Sequence, residues 1–121
     1  EANKYRYSHV CDGLTFIPYG VTVDEFQHWV YENPEATHAE RCSKWREIEK
    51  KYLPHLNYKE APFLEQGGYW LRQSHIFGSP FYYIDYTLAQ VVAFQFFVEN
   101  EKNHQKAWKK YVSDALNHLI L

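Results

Sequence analysis

The sequence predicts an all-α fold, on three observations. Strand-period alternation persists nowhere in the chain, apolar residues recur at helical spacing, and Ser/Thr caps and prolines fall where such helices would begin and end. The expected architecture is a bundle of about five to six helices around one buried central helix.

Composition sets the outer bounds. The 121 residues suit one domain, and a content of 45% hydrophobic and 19% aromatic residues excludes a disordered tail. A formal charge of −2 argues against a non-specific nucleic-acid binder, which needs a clear basic excess. Cys11 and Cys42 are too few to staple a secreted domain and read as free thiols in a reducing compartment. Nothing at the N-terminus has the form of an export leader, so the expected location is the cytoplasm. The chain starts at Glu1 and contains no Met, as expected of a chain cut from something longer or engineered.

Taken in order, Glu1 to Leu14 places Tyr5, His9 and Asp12 on one helical face and Tyr7, Val10, Cys11 and Leu14 on another, predicting a helix that ends near Gly13. Pro18 and Gly20 then break the period, and residues 15–20 read as an ordered turn. Thr22 and Glu25 have the spacing of a capping box, which would open a second helix burying Val23, Phe26, Val30 and Tyr31 and ending at Asn33-Pro34. Thr37 and Glu40 repeat the box. The helix they open would bury Cys42, Trp45, Ile48 and Tyr52, expose Arg41, Lys44, Arg46, Glu47, Lys50 and Lys51, and stop at Pro54. Residues 55–62 read as a loop carrying Tyr58. A shorter helix is expected over about Tyr69 to Ile76, after Gly67-Gly68.

The longest apolar stretch follows. Ser79 is placed to cap a helix and Pro80 to occupy its first position, where a missing N–H costs nothing. Phe81, Ile84, Leu88, Val91 and Val92 would form one stripe, with Tyr82, Tyr86, Ala89, Ala93, Phe96 and Phe97 around the other side. A helix apolar almost all round belongs inside a protein. Its charge-free run, Tyr86 to Val98, is too short to span a bilayer and is interrupted by Gln90 and Gln95. Polarity returns at Glu99 to Asn103, and a last amphipathic helix would turn Ala107, Trp108, Tyr111, Val112 and Ala115 inward.

Three blocks, in this order, carry a family resemblance: LTFIPYGVTVDEFQHWVYENPEAT at 14–37, WREIEKKYLPH at 45–55 and HIFGSPFYYIDYTLAQ at 75–90. Together they resemble the C-terminal part of oligoendopeptidase F-type zinc metallopeptidases, relatives of thimet oligopeptidase, over roughly residues 5 to 112. The resemblance implies that residues 1–121 are the C-terminal helical portion of a peptidase catalytic domain. The family's His-Glu-x-x-His zinc motif is absent, and in the family it lies upstream of the matching region. Zinc is therefore expected in the full-length protein and none on this chain, which alone would be inactive. The final residues 115–121 depart from the family's continuation and are expected to be a truncation or a foreign tail.

The same resemblance assigns roles. A His before a glycine-containing loop and a Tyr-x-x-Tyr pair after it contact substrate and stabilise the transition state in the family, which places those roles on His75, Tyr83 and Tyr86. Tyr82 and Gly78 fall in the same motif as substrate contacts. Arg72 could hold a peptide carboxylate with its fork geometry, or pair with Asp85. Such donors suit an oxyanion because they add no negative charge. The expected partners are short peptides and the missing N-terminal part of the protein, with no nucleic acid and no membrane.

Two other classes compete. Glu25-x-x-His28 and Glu101-x-x-His104 have the spacing used by di-iron carboxylate bundles, with Glu40, Glu47, Glu49 or Glu65 as further ligands. A non-catalytic helical interaction module would instead leave a sticky apolar wall able to pair with a second copy. A tyrosine on a helix, in a chain with 11 tyrosines, is also more often core packing than chemistry.

Overall fold

The computed structural model describes residues 1–118. They are all-α, with no strand among the described residues: α1 (Ala2–Glu32), α2 (His38–Tyr52), α3 (Pro62–Glu65), a 3-10 turn (Gly68–Arg72), α4 (His75–Gly78), α5 (Tyr83–Lys102) and α6 (His104–His118). The chain divides into two compact units, Glu1–Thr87 and a second that begins at Leu88. Of residues 115–121, expected to be a truncation or a foreign tail, Ala115 to His118 continue α6, and 119–121 lie outside the described residues.

In the first unit the largest departure from expectation is α1. It is one helix of 31 residues with Pro18 inside it, where two helices and a turn were expected. Proline removes one donor from the ladder and crowds the preceding turn, a cost of about 3 kcal/mol in a helix interior. Tertiary burial outweighs it here, since Val23 and Phe26, just beyond the proline, are fully buried. The Thr22–Glu25 capping box does not form. Thr22 lies mid-helix and donates its hydroxyl back to the Pro18 carbonyl at 2.9 Å, while the Glu25 carboxylate is taken by Lys51 and by the Tyr52 hydroxyl.

The second box forms as read. Thr37 Oγ1 accepts from the Glu40 amide, Glu40 Oε2 accepts from the Thr37 amide, and α2 ends at Tyr52 with Leu53 as its cap, just before Pro54. Trp45 and Ile48 of α2 pack with Val23 and Phe26 of α1, and Trp70 of the 3-10 turn closes the same core. Arg46, expected on the solvent side, is buried. It donates to the fully buried Glu49 at 2.9 Å and to Glu65 at 2.8 Å, and Tyr58 adds a hydrogen bond to Glu49 at 2.9 Å. Each charge thus keeps partners in place of water, and the network ties the 55–65 connector to α2. Gly67 holds the corner beyond it at φ 92°, where a Cβ would overlap the Cys42 carbonyl.

The expected helix over Tyr69 to Ile76 is replaced by the 3-10 turn and the single turn α4, with Gln73 between them in extended geometry. Ser79 and Pro80 do not cap α5, which starts three residues after Pro80, at Tyr83. The intervening Phe81 adopts φ 61°, so the chain turns left-handed there instead of entering a helix.

In the second unit the expectation of a buried helix is not met. The buried residue of α5, Thr87, ends the first unit, while Leu88, Val92 and Phe97 in the second stand 59%, 48% and 44% exposed. Little among the described residues covers those faces. In α6 Ala107 is buried as expected, but Trp108 and Tyr111 are exposed. Among the described residues no helix is long and apolar enough to cross a membrane.

Candidate functional site

The residues singled out in the 75–86 stretch come together on the first unit. α4 is a single turn, closed by the Gly78 and Ser79 amides donating to the Ser74 and His75 carbonyls. The chain then bends through Phe81, whose ring lodges against His28 and Tyr31 of α1 at 4.9 and 4.8 Å between centroids. That bend brings the first turn of α5 back onto α4. The His75 ring meets Tyr83 edge-on at 5.1 Å and Tyr86 at 5.7 Å, and Tyr83 and Tyr86, one helical turn apart, lie 5.7 Å from each other. Tyr82 packs edge-on to Tyr86 at 5.3 Å. Edge-to-face contacts of this kind fix ring planes and so aim the polar tips.

The floor of the cluster is aromatic as well. Tyr83 is half-buried against Phe16 and Tyr19 of α1, while Tyr82 and Tyr86 remain exposed. Tyr19 also touches Tyr69 and Trp45, both of which stack in near-parallel planes. α1 approaches α5 closely at Gly20, where a Cβ would overlap the Thr87 hydroxyl. Behind His75, Gln73 places its amide nitrogen 2.7 Å from Nδ1, and the Tyr19 hydroxyl donates to Gln73 Oε1 at 2.8 Å.

The electrostatics favour hydrogen-bond donation. Burial, with the nearby Tyr69 and Tyr86 phenols, pushes the Tyr83 hydroxyl above its ordinary value, and desolvation together with Tyr82 does the same to Tyr86. Both keep their protons at neutral pH. An imidazole and two neutral phenols on rigid neighbouring turns can offer hydrogen bonds to a carbonyl oxygen that gains negative charge.

Arg72 does not pair with Asp85. Its guanidinium donates to the Tyr69 hydroxyl at 2.9 Å and lies over that ring, three residues back on the same 3-10 turn, while Asp85 is exposed on α5. Gly78 stands open, with nothing within 4 Å of where its Cβ would be. The di-iron alternative fails on its own ligands. Glu25 is held by Lys51 and Tyr52, His28 by Asp24, His104 by Asn100, Glu40 by its cap, Glu47 by Lys44, and Glu49 and Glu65 by Arg46. Among the described residues no three His, Cys, Asp or Glu side chains converge on a point where a metal could sit. The residues present therefore do not fit a zinc ion.

Tyr19 and Gln73 escaped the sequence reading. The signal for Tyr19 was available: Phe16, Tyr19, Val23, Phe26 and Val30 keep one helical face straight through Pro18.

No family model and no curated protein matches the chain, whereas two solved structures are similar to it. One, described as an oligoendopeptidase F, is 59% identical over 93% of this chain with a TM-score of 0.88. The other, PZ peptidase A solved with an inhibitor, is 56% identical over 93% of the chain, again with a TM-score of 0.88. The chain spans 20% of the length of each. Alike in more than half of its residues and in the course of its backbone, this chain is similar to the oligoendopeptidase F and PZ peptidase structures over the fifth of their length that it matches.

Proposed function

We propose that residues 1–121 form the C-terminal helical portion of the catalytic domain of a zinc-dependent endopeptidase that cleaves short peptides in the cytoplasm. In this reading the chain supplies the wall of the substrate cleft and the donors that stabilise the transition state. The observation that carries it is the likeness to two peptidase structures at 56–59% identity, combined with the meeting of His75, Tyr83 and Tyr86 at one surface. Zinc would be held by residues outside this chain and, when bound, would polarise the scissile carbonyl. The chain alone would be inactive. Its natural partner would be the rest of the same polypeptide, which would cover the exposed faces of α5.

On this chain's side, His75, Tyr83 and Tyr86 would donate to the oxygen of the attacked peptide bond. Tyr82 would line the peptide's path, and open Gly78 would let the peptide backbone come close. Arg72 would hold a peptide carboxylate, with Tyr69 fixing its plane.

Tyr86→Phe in the longer protein tests the assignment. Loss of one transition-state donor lowers kcat by about 10²–10³ with KM little changed. Unchanged turnover would remove Tyr86 from the chemistry.

A further inference from the structure

His75 has a built hydrogen-bond relay behind it, and the relay decides which ring nitrogen carries the proton. Gln73 Nε2 lies 2.7 Å from His75 Nδ1, and Tyr19 Oη lies 2.8 Å from Gln73 Oε1. An amide nitrogen only donates and an amide oxygen only accepts, so fixing one end of this chain of bonds fixes the other. The fixed end is Tyr19. Its ring sits half-buried against Tyr69, Tyr83 and Trp45, and desolvation pushes the hydroxyl well above the ordinary phenol range, so it stays protonated and can donate. With the phenol donating to Oε1, the amide NH₂ faces the ring and Nδ1 must offer a lone pair. The reverse arrangement would turn an amide N–H toward the phenol oxygen and deprive the half-buried phenol proton of the acceptor it has here.

We propose that Gln73, locked by Tyr19, is a positioning residue that holds neutral His75 as the Nε2–H tautomer, so that this nitrogen is a hydrogen-bond donor to the substrate. The proposal rests on reading His75 as a substrate-facing group, but the relay belongs to this chain and is measurable without any peptidase activity. Three separate elements, α1, the Gln73 linker and α4, are needed to assemble it.

The test is long-range proton–nitrogen NMR on the ¹⁵N-labelled 121-residue chain, at a pH well above that of an ordinary imidazole transition. Wild type should show a pyridine-like Nδ1 and a pyrrole-like Nε2 at His75. Gln73→Glu, of nearly the same shape, puts an acceptor opposite Nδ1 and should exchange the two resonance types. Tyr19→Phe keeps the ring but frees the amide to turn, and should move both nitrogens to intermediate, averaged shifts. A pyrrole-like Nδ1 in wild type overturns the proposal, as does a Gln73→Glu chain that stays helical by circular dichroism with unchanged nitrogens. If Gln73→Glu does not fold, wild type and Tyr19→Phe decide between them. Failure of the peptidase reading would appear in turnover and leave these resonances as described.

Discussion

Phe81 sits at φ 61°, a conformation that costs a non-glycine residue about 1–2 kcal/mol, and it stays there because its ring is held by His28 and Tyr31. The strain and the contacts can be separated. Phe81→Ala loses the ring and keeps the strain, whereas Phe81→Gly loses both. The glycine variant should therefore be the more stable by about 1 kcal/mol, reversing the usual order of these residues, as read from urea unfolding. Equal or opposite stabilities would mean the bend is not held in this form. Strained bends gather where side chains must be aimed, and this one turns Tyr83 and Tyr86 toward His75. A motif resemblance singled those three residues out, and their rings do meet. Gln73 was not legible, because a glutamine between two short helical turns carries no periodic signal, and its role exists only through Tyr19, which is 54 residues away.

At the scale of elements, local and tertiary signals disagreed in a consistent direction. Helix α2 was legible end to end because its Thr37–Glu40 box and Pro54 are local devices that act whatever surrounds them. Helix α1 was not, since Pro18 and Gly20 are local breakers and what overrides them is burial of Val23 and Phe26 against Trp45. This makes Pro18 a standing cost. Pro18→Ala would restore an N–H to the ladder and should raise the urea midpoint, with a gain of about 1–3 kcal/mol. A loss of stability would show that the proline is needed to shape the helix. The same contest ran the other way at Ser79-Pro80. Ideal cap chemistry was present but unused, because Phe81 is drawn onto α1 and the helix can start only after it.

Over the whole molecule, α5 is composed for an interior, yet it shows Leu88, Val91, Val92, Phe97 and Val98 to the outside. The apolar composition was read correctly, and the expectation of a buried helix failed because burial depends on what else is present. Monomers seldom leave so continuous an apolar surface uncovered. The isolated chain should therefore pair with a second copy through this face. Sedimentation of the isolated chain should show dimers or larger species at tens of micromolar concentration, on the order expected for such patches. Val91→Lys should return it toward monomer. A wild-type chain that stays monomeric at those concentrations would mean that the face is not adhesive.

The glycines carry one more consequence, for how this sequence can drift. Positions 20 and 67 have no room for even a methyl group, one against Thr87 and the other against the Cys42 carbonyl, so folding alone keeps them glycine. Position 78 faces open space and carries no such constraint. Random substitution under selection for folding should leave the first two untouched and scatter the third through the alphabet. If position 78 nevertheless holds to glycine in living lineages, the pressure comes from something that must pass close by it, and ancestry would then record the path of a ligand.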